Sequence, residues 1–504
     1  MLVKPPLRVP RASYTTLACP PISLAYLGAA LREAGVRVTM VDAVGEAPFQ
    51  ARPLPDPTFL RIGLSDDQIH ARIPADATVI GVTCMFSEEW PLVREVLLAL
   101  RRAFPAALLV AGGEHVTAAP ELCLRDAAID VCVLGEGEDT LVDLVRRHAA
   151  GADVTGVPGT AVLADGGVFR TNPPRARIRD VDSIPRPAWD LLPLENYLSN
   201  RLGFGLNRGR SVPLVVSRGC PYDCTFCSAT RMWGRRWTAR SPEAVLDEMD
   251  WLIRTYGIEN FDLYDLTAMQ RKDWTVEFAT KLIERHWNIT WQIPAGTRTE
   301  VLEDNIPELL YKSGCRYLAY APESGSPAVL ARIRKRISLD RMKRSMRDAL
   351  GAGLHVKCNL MVGFPDESRR ELLGTVRLCL DLALLGVHDV NIGPFCPYPG
   401  CELFDRLAAA GRIGPLDDRF FDMLASYSDL RRTESWSDLV SNRELALYRW
   451  SGMALFYGAS LALHPRRIAT LVHDLATGRQ DTRLARALGD IARRYRMTLV
   501  GSGR

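Results

Sequence analysis

The chain has 504 residues, of which 47% are apolar and 24% charged. That ordinary globular balance excludes wholesale disorder, and at roughly 100 to 200 residues per domain the length predicts several domains rather than one small binding module. Lys and Arg number 63 against 59 Asp and Glu, a formal charge of +4, so no electrostatic argument points to nucleic acid and function has to be read from sites.

The opening Met1-Leu2-Val3-Lys4-Pro5-Pro6 places prolines where a secretory signal needs an unbroken apolar helix. A cytoplasmic location is therefore expected. Most of the twelve cysteines stand singly in apolar runs, as Cys84 and Cys132 do, and read as reduced core residues.

Over residues 1–150 short apolar strands alternate with amphipathic helices. Strands are predicted at Leu2–Lys4, Val36–Val41, Thr78–Thr83, Ala107–Ala111 and Ile129–Leu134. One helix is predicted over Ile22–Ala34, stopped by Gly35, and another runs to Ala103 from a cap at Ser87 with Glu88 and Glu89. The pattern is that of an α/β domain with a doubly wound, Rossmann-like parallel sheet. Such sheets bind ligands beyond the carboxyl ends of their strands, where Gly112-Gly113 and Gly135-Glu136-Gly137 lie. A dinucleotide site would need G-x-G-x-x-G after the first strand; Pro5-Pro6-Leu7-Arg8 stands there instead.

Residues 151–209 are rich in Pro, Gly and Arg with little helical periodicity, and read as a linker. A second array begins near Pro213, with strands predicted at Pro213–Ser217, Asn260–Asp265, Thr290–Pro294, Arg316–Ala321, His355–Val362 and Asp389–Pro394. One helix is fully punctuated: Ser241 caps it, Pro242 opens it and Gly257 stops it. Six such units over residues 210–404 predict a partial (β/α)6 barrel of the TIM type, with its chemistry at the strands' carboxyl ends. Residues 405–504 read as a mainly helical region. Its uncharged stretch Trp450 to Leu463 is shorter than the roughly 20 residues a membrane span needs, so no integral anchor is expected. Met453 to Leu463, followed by Arg466 and Arg467, reads as core packing, with shallow membrane contact as the alternative.

The sharpest feature is Ser217-Arg218-Gly219-Cys220-Pro221-Tyr222-Asp223-Cys224-Thr225-Phe226-Cys227, at the end of the first barrel strand. A structural zinc site wants a fourth ligand and usually two separated cysteine pairs. Three cysteines on a 4Fe-4S cluster leave one iron free for a small molecule. Zinc completed by a distant His or Cys is the alternative. The motif resembles that of the radical S-adenosylmethionine (SAM) family, C-x3-C-x2-C with an aromatic residue before the last cysteine, here Phe226. The resemblance runs from about Val212 to Phe404 and is also carried by Tyr264-Asp265, Ala321-Pro322-Glu323-Ser324-Gly325-Ser326, Leu360 to Pro365 and Pro397-Tyr398-Pro399-Gly400. It implies that Cys220, Cys224 and Cys227 hold a 4Fe-4S cluster whose free iron chelates SAM. One electron, from a flavodoxin- or ferredoxin-type reductant, then yields a 5'-deoxyadenosyl radical. Asp265 is expected to accept from the SAM ammonium, and Glu323 with Ser324 to bind its ribose or methionine part; a helix cap at Asp265 and a turn at Ser324 are the plainer readings.

The first domain resembles the cobalamin-binding domain found ahead of many radical SAM enzymes. The matching residues are Pro20-Pro21-Ile22 with Leu24 to Leu27, Gly112-Gly113-Glu114-His115 with Thr117 and Pro120, and Gly135-Glu136-Gly137-Glu138. This implies cobalamin contacts at Ser87, Gly112, Gly113, His115, Gly135, Glu136 and Gly137, although a fold alone does not fix a ligand. No His has an Asp two residues before it, so the D-x-H-x-x-G motif that puts an imidazole under cobalt is missing. Water or a side chain from Cys84 to Glu89 is expected on that face, and His115 either bonds the cobalamin tail or caps a helix. The run Arg231, Trp233, Arg235, Arg236, Trp237, Arg240 reads as a loop over SAM rather than an RNA-stacking surface. Cys358, Cys396 and Cys401 have no diagnostic spacing for a second cluster.

Together the resemblances imply a cobalamin-dependent radical SAM methyltransferase. One SAM would methylate cobalt, a second would supply the radical, and a carbon of a small-molecule, natural-product substrate would take the methyl; a monomer is expected. Ring contraction or cyclisation with the same cofactors is the nearest rival. A tRNA methylthiotransferase would need a second cysteine triad, which Cys19, Cys84, Cys123 and Cys132 are too scattered to form. A non-catalytic cobalamin- or metal-binding protein is the rival of a different class.

Overall fold

The computed structural model describes residues 1–15, 18–297, 302–477 and 482–501. The first ten strands are β1 (Leu2–Lys4), β2 (Leu7–Pro10), β3 (Met40–Asp42), β4 (Ala51–Pro53), β5 (Phe59–Ile62), β6 (Val79–Thr83), β7 (Leu108–Gly112), β8 (Val131–Val133), β9 (Thr160–Ala164) and β10 (Val168–Thr171). Five of them form the parallel core of one sheet in the order β8-β7-β6-β1-β3, and the antiparallel hairpin β9–β10 extends it past β8. This is the doubly wound sheet expected. Both faces are covered: Val3, Ile80, Val82, Leu109 and Ala111 pack on one side, and Leu2, Val79, Leu108, Val110 and Val131 on the other, which is why these strands read as unbroken apolar runs. The winding reverses between β1 and β6, and such a switch point opens a crevice at the strands' carboxyl ends.

Several local expectations change. The strand expected at Val36–Val41 shrinks to Met40–Asp42, because the ladder to β1 begins at the Leu2–Met40 pair. The small antiparallel sheet β2-β5-β4 had no sequence counterpart. The β9–β10 hairpin falls inside the stretch read as linker and turns through Gly166 and Gly167, both at positive φ. Ser87 does not cap the helix that follows. A one-turn 3-10 segment, Ser87–Glu89, precedes the helix Trp90–Ala103, and the Ser87 hydroxyl bonds His115 instead.

The second array comprises β11 (Ser211–Leu214), the short pair β12 (Ser217–Arg218) and β13 (Thr238–Ala239), then β14 (Asn260–Leu263), β15 (Thr290–Thr297), β16 (Cys315–Glu323), β17 (His355–Val362) and β18 (Asp389–Pro394). Six of these form one parallel sheet, β11-β14-β15-β16-β17-β18, the partial barrel expected. The helix Pro242–Tyr256 has the predicted punctuation: the Ser241 hydroxyl accepts from the Ala244 amide at 3.2 Å, and Gly257 closes it at φ +63°. On β17, Val356, Cys358, Leu360 and Val362 join the core under the outer helices. Strand alternation then puts Lys357, Asn359 and Met361 on the inner face. The barrel floor is closed by residues 203–206, whose Gly205 and Leu206 amides donate to Asp262 and Gln292, while Arg486 donates to the carbonyls of Gly203 and Gly205.

After the barrel the chain is mainly helical, as expected. The helix Asp418–Leu424 sends Phe420, Phe421 and Leu424 into the core of the first sheet, and Asn442–Leu463 lies along Arg369–Leu385. Met453 to Leu463 belongs to that long helix, with Phe456 and Ser460 buried against the protein. Among the described residues no helix is long and apolar enough to cross a membrane.

Candidate active site between the two sheets

The three motif cysteines sit half-buried, none in a disulfide, on the loop that leaves β12. Contacts at its entry, middle and exit fix the loop. At its entry Asp265 accepts from the Val216 amide at 3.1 Å and from the Ser217 amide and hydroxyl, the latter at 2.6 Å. Gly219, at φ +85°, lies so close to the Arg236 carbonyl that a Cβ would collide with it. In the middle the Thr225 amide donates to the Ile333 carbonyl at 3.1 Å and the Thr225 carbonyl accepts from the Leu403 amide at 2.9 Å. Phe226 anchors the loop against Phe364, ring centroids 6.0 Å apart. At the exit the Ser228 hydroxyl donates to Glu114 of the first domain.

Burial pushes the Cys227 thiol up to about 12, so this sulfur becomes a ligand only where metal charge removes its proton. Among the described residues no three His, Cys, Asp or Glu side chains converge as a single metal ion would require. A cubane asks for something else, because each thiolate takes its own iron. Three reduced cysteines on one pinned loop fit it.

The expected SAM contacts divide. Asp265 is almost fully buried and accepts from the Val216 and Ser217 amides and the Ser217 hydroxyl, so it holds the entry of the cysteine loop. Ser324 is fully buried, bonded to the Thr375 hydroxyl at 3.2 Å and to the Ser326 amide at 3.1 Å, and makes the turn of the plainer reading. Glu323, held at φ +72°, forms a buried ion pair with Lys335 at 2.7 Å, and the Lys335 ammonium stands 5.7 Å from the Phe226 ring centre. That pair connects the fourth barrel strand to the residue before Cys227.

At the carboxyl ends of the first sheet, His115 is buried between Trp90 and Phe421, bonds Ser87 through Nδ1 at 2.9 Å and leaves Nε2 without a partner among the described residues. Burial lowers its pKa to about 3, so the ring is neutral. Gly113, at φ +119°, packs where a Cβ would strike the Cys84 carbonyl, which draws the Gly112-Gly113 loop onto the loop after β6. Gly135 donates to Thr117 at 3.0 Å and borders Met232 of the barrel. Glu136, expected as a cofactor contact, instead accepts from the Ile178 amide at 2.9 Å and faces Arg218 at 3.4 Å. The partnerless His115 Nε2 and Glu88 Oε2 are buried polar atoms at the strand ends, and such atoms need a partner that a bound group would supply.

A cavity of about 150 Å3 opens beside these loops. The first domain lines it with Arg8 and Glu88, the barrel with Lys357 and Asn391, and the C-terminal region with Tyr427 and Arg483. It lies at the β1/β6 switch point and faces the barrel's inner surface, where both sheet types present ligands.

The residues that join the domains were not singled out from sequence. Arg218, two positions before Cys220, is buried in ion pairs with Glu138 and Glu136. Its only early trace was its place inside the motif. The basic aromatic run divides: Arg240 pairs with the buried Glu248 and Trp237 donates to the Thr267 carbonyl at 3.0 Å, while Arg231, paired with Asp405, stays exposed with Arg235 and Arg236. Cys358, Cys396 and Cys401 fall in three different core clusters and do not meet.

Two family models match the chain: the radical SAM superfamily over residues 214–379 and the B12 binding domain over residues 12–145. An uncharacterised methyltransferase of Pyrococcus horikoshii is 29% identical over 89% of this chain and 92% of its own. The cytidylyl-2-hydroxyethylphosphonate methyltransferase of Streptomyces wedmorensis is 28% identical, covering 81% of this chain and 80% of its own. The curated relatives include ring-forming cyclases as well as methyltransferases. Among solved structures, the methyltransferase TsrM of Kitasatospora setae, with cobalamin and a 4Fe-4S cluster bound, superposes with a TM-score of 0.63 at 19% identity, over 81% of this chain and 77% of that one.

Proposed function

Since the chain belongs to the cobalamin-dependent radical SAM enzymes, we propose that it is a methyltransferase that places a methyl group on a carbon of a small molecule held between its two sheets. The observation that carries this reading is the meeting of the loop sets: the cysteine loop and the strand ends of the first sheet are joined through Arg218–Glu138 and Ser228–Glu114, and a cavity opens between the loops after β1 and β6 and the inner face of the barrel. In this reading residues 1–150, with the hairpin that follows, take cobalamin. Residues 210–404 take the cluster and SAM, and residues 405–504 close the cavity.

Cys220, Cys224 and Cys227 would hold the cluster, and Phe226 with the Glu323–Lys335 pair would border the SAM position. Ser87, Gly112, Gly113, His115, Gly135 and Gly137, with the loop Cys84 to Glu89, would border cobalamin. When bound, the cluster and SAM supply the hydrogen-abstracting radical and cobalamin supplies the methyl group. The chain's own residues orient and exclude water. Asp265 fixes the entry to the cysteine loop, Phe226 and Phe364 pack against each other beside it, and Phe420, Phe421 and Leu424 seal the strand ends of the first sheet next to His115 and the cavity. An external one-electron reductant, a monomeric state and a cytoplasmic location complete the proposal.

The test is product analysis after anaerobic reconstitution. A product heavier by one methylene, with S-adenosylhomocysteine formed, supports methyl transfer. An isomerised or ring-closed product with 5'-deoxyadenosine and no S-adenosylhomocysteine favours the cyclase rival, and formation of neither nucleoside favours a binding protein.

A further inference from the structure

The cavity holds one charge that the fold leaves uncompensated. Lys357 points inward from β17 and is only 7% exposed, yet among the described residues it has no hydrogen-bond or ion-pair partner. Its register partner on β18 is Asp389, but that carboxylate is already committed, to His355 Nε2 at 2.9 Å and to the Arg483 and Leu484 amides at 3.2 and 3.3 Å. Arg483, whose guanidinium donates to the Phe204 carbonyl at 3.0 Å, adds a second positive charge to the same wall. Asn359, two residues along the inner face from Lys357, leaves its side-chain oxygen buried and unpartnered, and its amide can also present donors.

A buried ammonium with nothing to pair it costs several kcal/mol, and such groups persist where function requires them. Burial, together with the neighbouring Arg483, pulls Lys357 down to about 7. The cavity's two carboxyls do not cancel it, since burial pushes Glu88 up to about 7 and Glu89 to about 8, holding protons on them near neutrality.

We propose that Lys357, assisted by Arg483, binds an oxyanion of the substrate, a carboxylate or a phosphoryl or phosphonyl group, and so sets the substrate's orientation against the inner face of the barrel. The inference rests on the reading of this cavity as the substrate site of a radical SAM enzyme. An arriving anion would pair the ammonium and keep it charged, turning a standing cost of the empty cavity into binding energy.

The experiment uses holoenzyme reconstituted with iron, sulfide and hydroxocobalamin, and follows its unfolding midpoint against ethylphosphonate and, separately, propionate. An anion that binds only the native state raises the midpoint with concentration. We expect at least one of the two to raise the wild-type midpoint, the effective one naming the anion type. Lys357→Met is expected to lose the response while unfolding no earlier than wild type without anion, because an unpaired buried charge has been removed. Lys357→Arg is expected to keep the response and guards against a folding defect in the Met variant. An equal response in Lys357→Met, or no response to either anion in wild type, would overturn the proposal. Reductive formation of 5'-deoxyadenosine by the same wild-type preparation separates the two readings: its absence sinks the radical SAM assignment, whereas its presence without an anion response sinks only the role of Lys357.

Discussion

Arg218 places its guanidinium 2.5 Å from Glu138, across 80 positions of sequence, with both side chains less than a tenth exposed. The same guanidinium lies 3.4 Å from Glu136 and 5.7 Å from the ring centres of both Tyr26 and Trp233. One side chain thus ties the backbone just before Cys220 to the strand-end loop of the first sheet. Removing one member of a buried pair strands the other, at a cost of about 3 to 5 kcal/mol. Arg218→Met should lower the unfolding midpoint by several degrees and reduce iron retained after anaerobic gel filtration. Arg218→Met with Glu138→Leu should recover part of that loss, a coupling that a double-mutant cycle reads directly.

The cysteines themselves carry little of the fold. They are half-buried and belong to none of the hydrophobic core clusters. Replacing Cys220, Cys224 or Cys227 by Ala should therefore leave the far-UV circular dichroism unchanged and cost about 1 kcal/mol or less in the protein without cluster. Iron binding and 5'-deoxyadenosine formation should fall to background in each variant.

Asp265 acts through the loop it holds. Asp265→Ala leaves the Val216 and Ser217 amides buried without an acceptor, at about 1 to 3 kcal/mol for each group left unmade, while the Ser217 hydroxyl keeps the Thr267 carbonyl at 3.3 Å. Asp265→Asn keeps one acceptor oxygen and should lie between Ala and wild type. The discriminating readout is the cluster's visible spectrum: a shifted band or poorer cluster yield at unchanged SAM affinity marks a positioning residue, and a selective loss of SAM affinity contradicts that role.

His115 makes a pH prediction. Burial holds its folded pKa at about 3, below the unfolded value of 6.5, so between those limits the unfolded chain binds more protons. Its contribution to stability is complete above about pH 6.5 and is lost as pH falls toward 3. Charged groups near it offer little relief, Asp126 being the one that raises its pKa. His115→Gln should flatten this acid limb in urea unfolding measured across that range, and an unchanged limb would contradict the buried neutral ring.

Much of the framework was legible because local pattern and tertiary context agree. His355–Val362 and Asp389–Pro394 are strands with the expected bounds, each a short run whose alternate residues meet the outer helices. The punctuation of Pro242–Tyr256 is entirely local. The missed hairpin β9–β10 has an edge strand, Val168–Thr171, that is largely exposed and carries no apolar alternation. The cysteine motif was legible from spacing alone, but its supports were not. Arg218–Glu138 and Asp265–Ser217 join residues 80 and 48 positions apart, and no local window registers such pairs. Lys357 left a fainter trace, a lone charge inside the run Val356 to Met361.

The account stands on what the cysteine loop binds. Iron and acid-labile sulfide should be counted in the protein purified without oxygen, and the same sample then reduced in the presence of SAM. The account predicts about four irons and four sulfides per chain, with 5'-deoxyadenosine released on reduction and both lost in Cys224→Ala. A preparation that holds zinc in place of iron, or an iron-loaded protein that leaves SAM intact on reduction, would contradict it.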